Sequence, residues 1–218
     1  MSIPLIDVDT RLRTARGMAK TETEASMDVF GTLKAPGHPD RPPPTLSDGW
    51  GGVREAMVEV YGEVPPYPTG RGRRPTKKRP GEGWHYAQMI KERQNGRVVG
   101  TRMKVIYGKA DEVLALLGKS TAYIERTHST MRHSNGRLVR KGLGYSKQLR
   151  LHKAAATWAD IVYNVVRSLR TLRHEIKEQA ARFEQRWCHR SPAMAAGLTT
   201  ELWTIERVLR TIPIHNNT

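Results

Sequence analysis

Apolar residues recur along this chain at two spacings, and each spacing predicts a kind of element. From Ile3 to Ala19 (IPLIDVDTRLRTARGMA), β-branched and leucine residues flank a polar centre at Asp7–Arg11. That predicts two short strands joined by a tight turn, with Asp9 and Thr10 as turn residues. Thr21 and Glu24 then form a capping-box pattern, and Ala25, Val29 and Leu33 share a stripe, so a helix is expected before Gly37. The prolines of Ala35–Pro44 forbid regular structure and lead into a short strand at Thr45–Leu46, broken at Asp48-Gly49. Val53, Met57 and Val60 predict a helix over Val53–Tyr61. Alternation in Val99, Thr101, Met103, Val105 and Tyr107, with Asn95-Gly96 ahead of it, predicts a hairpin.

Helical spacing dominates after Asp111. One helix is expected over Asp111–Leu117, and a second, capped by Ser120, carries Tyr123–Arg132. Asn135-Gly136, Gly142 and Gly144 interrupt the next stretch. A long helix is then expected from His152, with Trp158, Ile161, Val162, Val165, Val166, Leu169, Leu172 and Ile176 at i, i+3, i+4, i+7. Ser191-Pro192 reads as a cap followed by proline at the first helical position, and Leu198–Ile212 as a last amphipathic helix.

Charge changes this picture from a plain α/β chain to one with a polyanionic partner. The 218 residues carry a formal net charge of +16, and the sequence pI is 10.4. The excess is uneven: residues 1–70 hold 7 Lys/Arg and 10 Asp/Glu, whereas 71–218 hold 30 and 11. Six of the ten positions from Arg71 to Pro80 are basic, inside a Pro/Gly-rich linker over 65–83. An apolar content of 38% is enough for a core. The single cysteine, Cys188, excludes an internal disulfide and any multi-cysteine zinc site. No apolar run reaches membrane-span length, and Met1–Asp7 is too short and acidic for a signal peptide, so a cytoplasmic setting is expected.

Two carboxylates stand out. Glu125 heads a tract, YIERTHSTMR and onward to Arg150, that has no further Asp or Glu. On a helix, Glu125, Ser129 and Arg132 share one face, so a carboxylate able to ligate a divalent cation would stand two turns from a guanidinium able to hold phosphate. The plainer alternative is a solvated face with an adjacent Glu125–Arg126 pair. Asp48 follows a short strand at the carboxyl end, where α/β sheets place ligands. Its plainer alternative is an Asp-Gly turn. Arg71, Arg73, Arg74, Lys77, Lys78 and Arg79, with Arg132, Arg137, Arg140, Lys141, Lys147 and Arg150, are candidate phosphate contacts. Arg97, Arg102 and Lys104 of the hairpin are candidates too, or plain solubilising charge. Trp50 and Tyr145 are candidate base-stacking residues.

The stretch GKSTAYIERTHSTMRHSNGRLVRKGLGYSKQLRLHKAAATWADIVYNVVRSLRTLR resembles the carboxyl half of bacterial insertion-sequence DDE transposases, nearest insertion-sequence family one. Glu125 with Arg132 seven residues on matches the family's third catalytic carboxylate and its DNA-contacting partner. PPPTLSDGWGG resembles the strand bearing the second catalytic aspartate, here Asp48, and SPAMAAGLTTELWTIERVL resembles the family's end. The resemblance implies an RNase H-like (integrase-like) mixed sheet, incomplete at the amino terminus, with a helical carboxyl-terminal tail. The expected parts are 1–64 and 84–150 as the catalytic domain, 65–83 as linker and 151–218 as tail. It further implies two Mg²⁺ or Mn²⁺ ions, with Asp48 and Glu125 as ligands, and cleavage and strand transfer on transposon-end and target DNA. The setting implied is a nucleoid-associated protein of the cytoplasm, with a homo-oligomer left open. The family's first aspartate lies on a strand that precedes the stretch similar to Ile3–Ala19, so an amino-terminally truncated transposase is expected. Asp7 and Asp9 fall at a strand end and in a turn and do not replace it. The competing expectations are a DNA-binding remnant or inhibitor without catalysis and, more remotely, a general basic RNA-binding protein.

Overall fold

A computed structural model of the chain describes residues 2–35, 37–67, 73–117, 122–139, 144, 146–176 and 186–211. The fold is mixed α/β and divides into two units: Met1–Leu5 with Ala15–Glu125, and Ile6–Thr14 with Arg126–Thr218.

In the first unit, strands β1 (Ser2–Ile6) and β2 (Arg13–Met18) form a two-stranded sheet, and α1 spans Glu22–Lys34. Thr21 caps α1 as expected: its hydroxyl accepts the Glu24 N–H at 3.2 Å, and the Glu24 carboxylate accepts the Thr21 N–H at 3.3 Å. The stripe Ala25, Val29, Leu33 is buried, joined by Phe30. Strand β3 (Thr45–Asp48) runs parallel to β4 (Tyr86–Gln94), with α2 (Gly52–Tyr61) in the crossover, and β5 (Arg97–Tyr107) returns antiparallel to β4. The return is made by Asn95 and Gly96 at φ 50 and 77, the pair of positive dihedrals that a two-residue hairpin turn requires.

This three-stranded sheet has a core on each face. Tyr86 shares one with Ala15, Val29, Phe30, Leu33, Ala56, Met57, Tyr61 and Trp84. Its aromatic rings meet edge to face: Phe30–Tyr61 and Tyr61–Trp84 at 6.3 Å, Trp84–Tyr107 at 5.6 Å. On the other face Ala87 packs against Val113 and Leu117 of α3 (Ala110–Leu117), flanked by Leu46, Met103 and Val105. Strict alternation in β5 fails at two points, one near the tip opposite Glu92 and Arg93 and one at the root. Tyr86 faces Tyr107 but Ala87 faces Val105, so a bulge at Ile106 turns Tyr107 to the Tyr86 side. The Pro/Gly-rich stretch forms no helix or long strand among its described residues. It is tied down all the same, by reciprocal backbone bonds between Glu63 and Arg79 (3.2 and 2.9 Å) and by Lys78 on the Glu59 carboxylate at 2.8 Å.

In the second unit, residues 7–12 between β1 and β2 form a turn organised by Asp7, whose carboxylate accepts N–H groups from Thr10 (3.2 Å) and Asp9 (3.4 Å) and the Thr10 hydroxyl. Burial pushes the Asp7 carboxyl up, but these bonds and the Arg11 charge prevail and hold it below the usual range. Arg13 follows, with its side chain almost wholly buried. Its guanidinium lies 3.7 Å over the Tyr163 ring and 3.0 Å from Asp160, while the Asn164 amide bonds both its N–H and its C=O at 3.0 Å.

That cluster explains the main departure from expectation. α5 covers Leu149–Ile161, then widens into a π-helical turn at Val162–Val166 and stops at Arg167, instead of running to Ile176. Tyr163 and Asn164 are drawn to Arg13, and the Val165 carbonyl accepts from Trp203 N–H at 3.0 Å, so the turn's groups find partners outside the helix. The expected helical tail is therefore interrupted. Leu169 and Ile176 donate to Arg190 and Arg186 carbonyls, and a strand pair β6 (His174–Glu175) and β7 (Trp187–Cys188) forms. Among the described residues short helices follow, α6 (Pro192–Ala195), capped by Ser191 as expected, and α7 (Ile205–Thr211), which begins seven residues later than the helix expected from Leu198.

Removing one partner of a buried charge pair strands the other. Asp160→Ala should destabilise the chain by about 3–5 kcal/mol in urea unfolding, and Asp160→Asn by less. Unfolding of Asp160→Ala at the native midpoint would contradict the role given to Arg13.

Candidate functional site

The carboxyl end of β3 is held by buried hydrogen bonds. The Tyr86 hydroxyl, on a residue with no exposed surface, meets Ser47 Oγ at 2.8 Å and accepts from Gln88 Nε2 at 2.9 Å. Gln88 Nε2 also donates to the Trp50 carbonyl at 3.1 Å, and Ser47 Oγ to the Asp48 carbonyl at 2.8 Å. β4 thus holds the end of β3 through Ser47 and the turn after Asp48 through the Trp50 carbonyl, and Asp48 Oδ1 accepts the Trp50 N–H at 3.3 Å. Trp50 is half-buried over Gly52, where a Cβ would stand 2.0 Å from the indole ring, so only glycine fits there.

Glu125 lies near the start of α4 (Ala122–Ser134) and is exposed. Its carboxylate pairs with Lys91 of β4, 34 residues upstream in the chain, and not with the adjacent Arg126. The β3–β4 register sets Asp48 opposite Met89, two residues before Lys91, so by strand alternation Asp48 and the Glu125-bound lysine belong to the same sheet face. Both expected carboxylates are therefore surface groups of the first unit. Among the described residues no group of three His, Cys, Asp or Glu side chains comes together to hold a metal ion. Two carboxylates, one of them already on an ammonium, are an incomplete donor set for the two cations implied by the resemblance.

On α4 the buried residues are Thr127 and Met131, with Ile124 and His128 half-buried, and Ser129 and Arg132 exposed. Asn135 ends this stretch, accepting the Arg137 N–H at 3.1 Å and donating to the Ala155 carbonyl at 3.3 Å. Arg137 reaches Ser146 Oγ at 3.0 Å, and Lys147, Arg150 and Lys153 are exposed. In the linker Arg73, Arg74, Lys77 and Arg79 are exposed, Arg74 lying 5.8 Å from the Tyr67 ring, whereas Lys78 is engaged by Glu59. Arg71, Arg140, Lys141 and Tyr145 lie outside the described residues. Sequence reasoning missed Lys91, Gln88 and Ser47. The alternation of β4 is the signal that could have set Lys91 on the face of Met89.

Comparisons with family models, with curated proteins and with solved structures find no match to this chain.

Two outcomes test the geometry. Burial first, then the Asp48 and Tyr107 charges, push the Tyr86 phenol above its ordinary 10.0, against the opposing effect of Ser47 and Gln88. The fold therefore keeps the proton while an unfolded chain ionises near that value, and stability should fall as pH rises past about 10. Tyr86→Phe should cost about 1–2 kcal/mol at neutral pH and flatten that alkaline decline, read by urea unfolding across pH. Lys91→Met should shift stability by less than about 1 kcal/mol, since both partners are largely exposed. A large loss would mean that the pair holds α4 in place.

Proposed function

We propose that this chain is a DNA-binding protein of DDE-transposase descent, with an RNase H-like core that offers two candidate metal-binding carboxylates, Asp48 and Glu125. The observation that carries the reading is the surface after Glu125. Arg126, Arg132, Arg137, Lys147, Arg150 and Lys153 are all exposed, and no Asp or Glu occurs between Arg126 and Ala159. The second unit as a whole has 19 Lys/Arg against 8 Asp/Glu, a net +11. Such a field repels itself unless a polyanion neutralises it. The spacing of these cations along a helix, a capped turn and a second helix suits a run of backbone phosphates.

A catalytic reading rests on a narrower observation, the shared sheet face of Asp48 and Lys91-bound Glu125. It requires further ligands beyond these two residues. Nicking of supercoiled DNA in Mn²⁺, lost in Glu125→Gln, would favour it. A wild-type chain that binds DNA and does not nick leaves the binding reading in place.

The direct test is anisotropy titration of a labelled duplex across a salt series. Six phosphate contacts predict a slope of log K against log[salt] of roughly −5, and Arg132→Gln or Arg137→Gln should each lower its magnitude by about 1. A slope near zero, or a clear preference for RNA in competition, would overturn the proposal.

A further inference from the structure

The β4–β5 hairpin is longer than the sheet it belongs to. β3 pairs only with Tyr86–Met89, and beyond that point the ladder is two-stranded, through Ile90↔Arg102, Lys91↔Thr101, Glu92↔Gly100, Arg93↔Val98 and Gln94↔Arg97. Every residue from Lys91 to Val99 is exposed, on both faces of the ribbon. A two-stranded ribbon with no buried face is marginal by itself, so the arm depends on its root in the sheet, and its outer residues are not there to fill a core.

Their chemistry is specific. From Lys91 to Lys104 the arm carries Lys91, Arg93, Arg97, Arg102 and Lys104 against one acid, Glu92, which lies 3.5 Å from Arg102. By the register, Lys91 and Arg93 belong to one face, and Arg97, Arg102 and Lys104 to the other, so cations stand on both sides of the ribbon. Between the charges near the tip are Val98 and Val99, 51% and 62% exposed. Val99 is the extra residue of a bulge opposite Glu92 and Arg93, which strengthens the local right-handed twist.

We infer that this arm enters the major groove of double-stranded DNA. The inference rests on the DNA-binding reading above and names an element that reading does not use. Two strands with their side chains span about 10 Å, which fits a groove about 12 Å wide. The five-pair arm is about 17 Å long. Its two basic faces then meet the phosphates of opposite groove walls, and Val98, paired with Arg93 next to the tip, comes near the floor with Val99, where thymine methyl groups are the apolar partners. Edge-to-edge pairing with a second copy is disfavoured by the charges on the outer strand, since Arg97, Arg102 and Lys104 would meet their own kind.

The test uses the full chain with Arg93→Gln/Arg97→Gln and Val98→Ser/Val99→Ser, all at exposed positions, with a thermal melt to confirm folding. The arginine pair should lower the salt slope by about 2, and the valine pair should weaken binding to T-rich duplexes several-fold with the slope unchanged. A duplex containing glucosylated hydroxymethylcytosine, whose sugars fill the major groove, should bind wild type about ten-fold more weakly, and the arm variants should be nearly indifferent to it. Wild type that binds a plain duplex, tolerates the filled groove and keeps its slope in the arm variants would overturn the inference and leave the DNA-binding reading standing. So would arm variants that dissociate a dimer in sedimentation without any change on DNA. Wild type that binds no duplex would overturn both.

Discussion

The Tyr86 hydroxyl is buried and still shared by two polar side chains, Ser47 from β3 and Gln88 from its own strand. A buried hydroxyl without partners costs about 1–3 kcal/mol, so these groups are tolerable only while all are in register. A one-residue slip of β3 along β4 would take Ser47 away from the phenol and turn Leu46 off the face of Ala87, Val113 and Leu117. The same bonds reach past the strand to the Trp50 carbonyl. The register of β3 on β4, and with it the turn that follows Asp48, is thus tied to one polar junction on the sheet face opposite Asp48.

The second unit solves a different problem, a surplus of like charge. Asp160 is the one carboxylate between Glu125 and Glu175, and it is turned inward to the buried Arg13 guanidinium. Glu175 is in turn engaged by Arg186. The one acid of this stretch is therefore withdrawn to satisfy a buried cation, and among the described residues Arg126, Arg132, Arg137, Lys147, Arg150 and Lys153 face outward with no acid beside them in the chain from 126 to 159. Folding of this unit sharpens the charge asymmetry already written in the sequence, at the expense of self-repulsion that a polyanion would relieve.

What was legible in the sequence was local. The Thr21/Glu24 box, the Asn95-Gly96 turn and the Ser191-Pro192 cap each depend on groups within three residues, and each forms with the expected partners. What was not legible depends on distant pairings. The apolar period through Val162, Val165 and Val166 continues unbroken into Leu169 and Leu172, and nothing local marks the stop. The stop comes from Asn164 and Tyr163 meeting Arg13, about 150 residues earlier in the chain. The bulge that turns Tyr107 to the opposite face likewise depends on what Tyr86 packs against. At the candidate site, the two carboxylates were visible as residues, whereas the lysine that meets Glu125 needed the strand register.

That lysine decides how Glu125 can be read. With side-chain exposures of 39% and 56%, the pair stands in water, where such contacts contribute about 0.2–1 kcal/mol. It cannot anchor α4, and it cannot hold Glu125 against a competitor of higher charge. Lys91 is also the first exposed cation of the β4–β5 arm, so a duplex in contact with the arm would offer it phosphate in place of carboxylate. Phosphates that took up Lys91 would leave Glu125 without its counter-ion close to a polyanion, and the electrostatic demand for a cation there would rise. On this argument the proposed catalytic reading would need its divalent ion only in the DNA-bound state, since in the free chain Lys91 meets the Glu125 carboxylate.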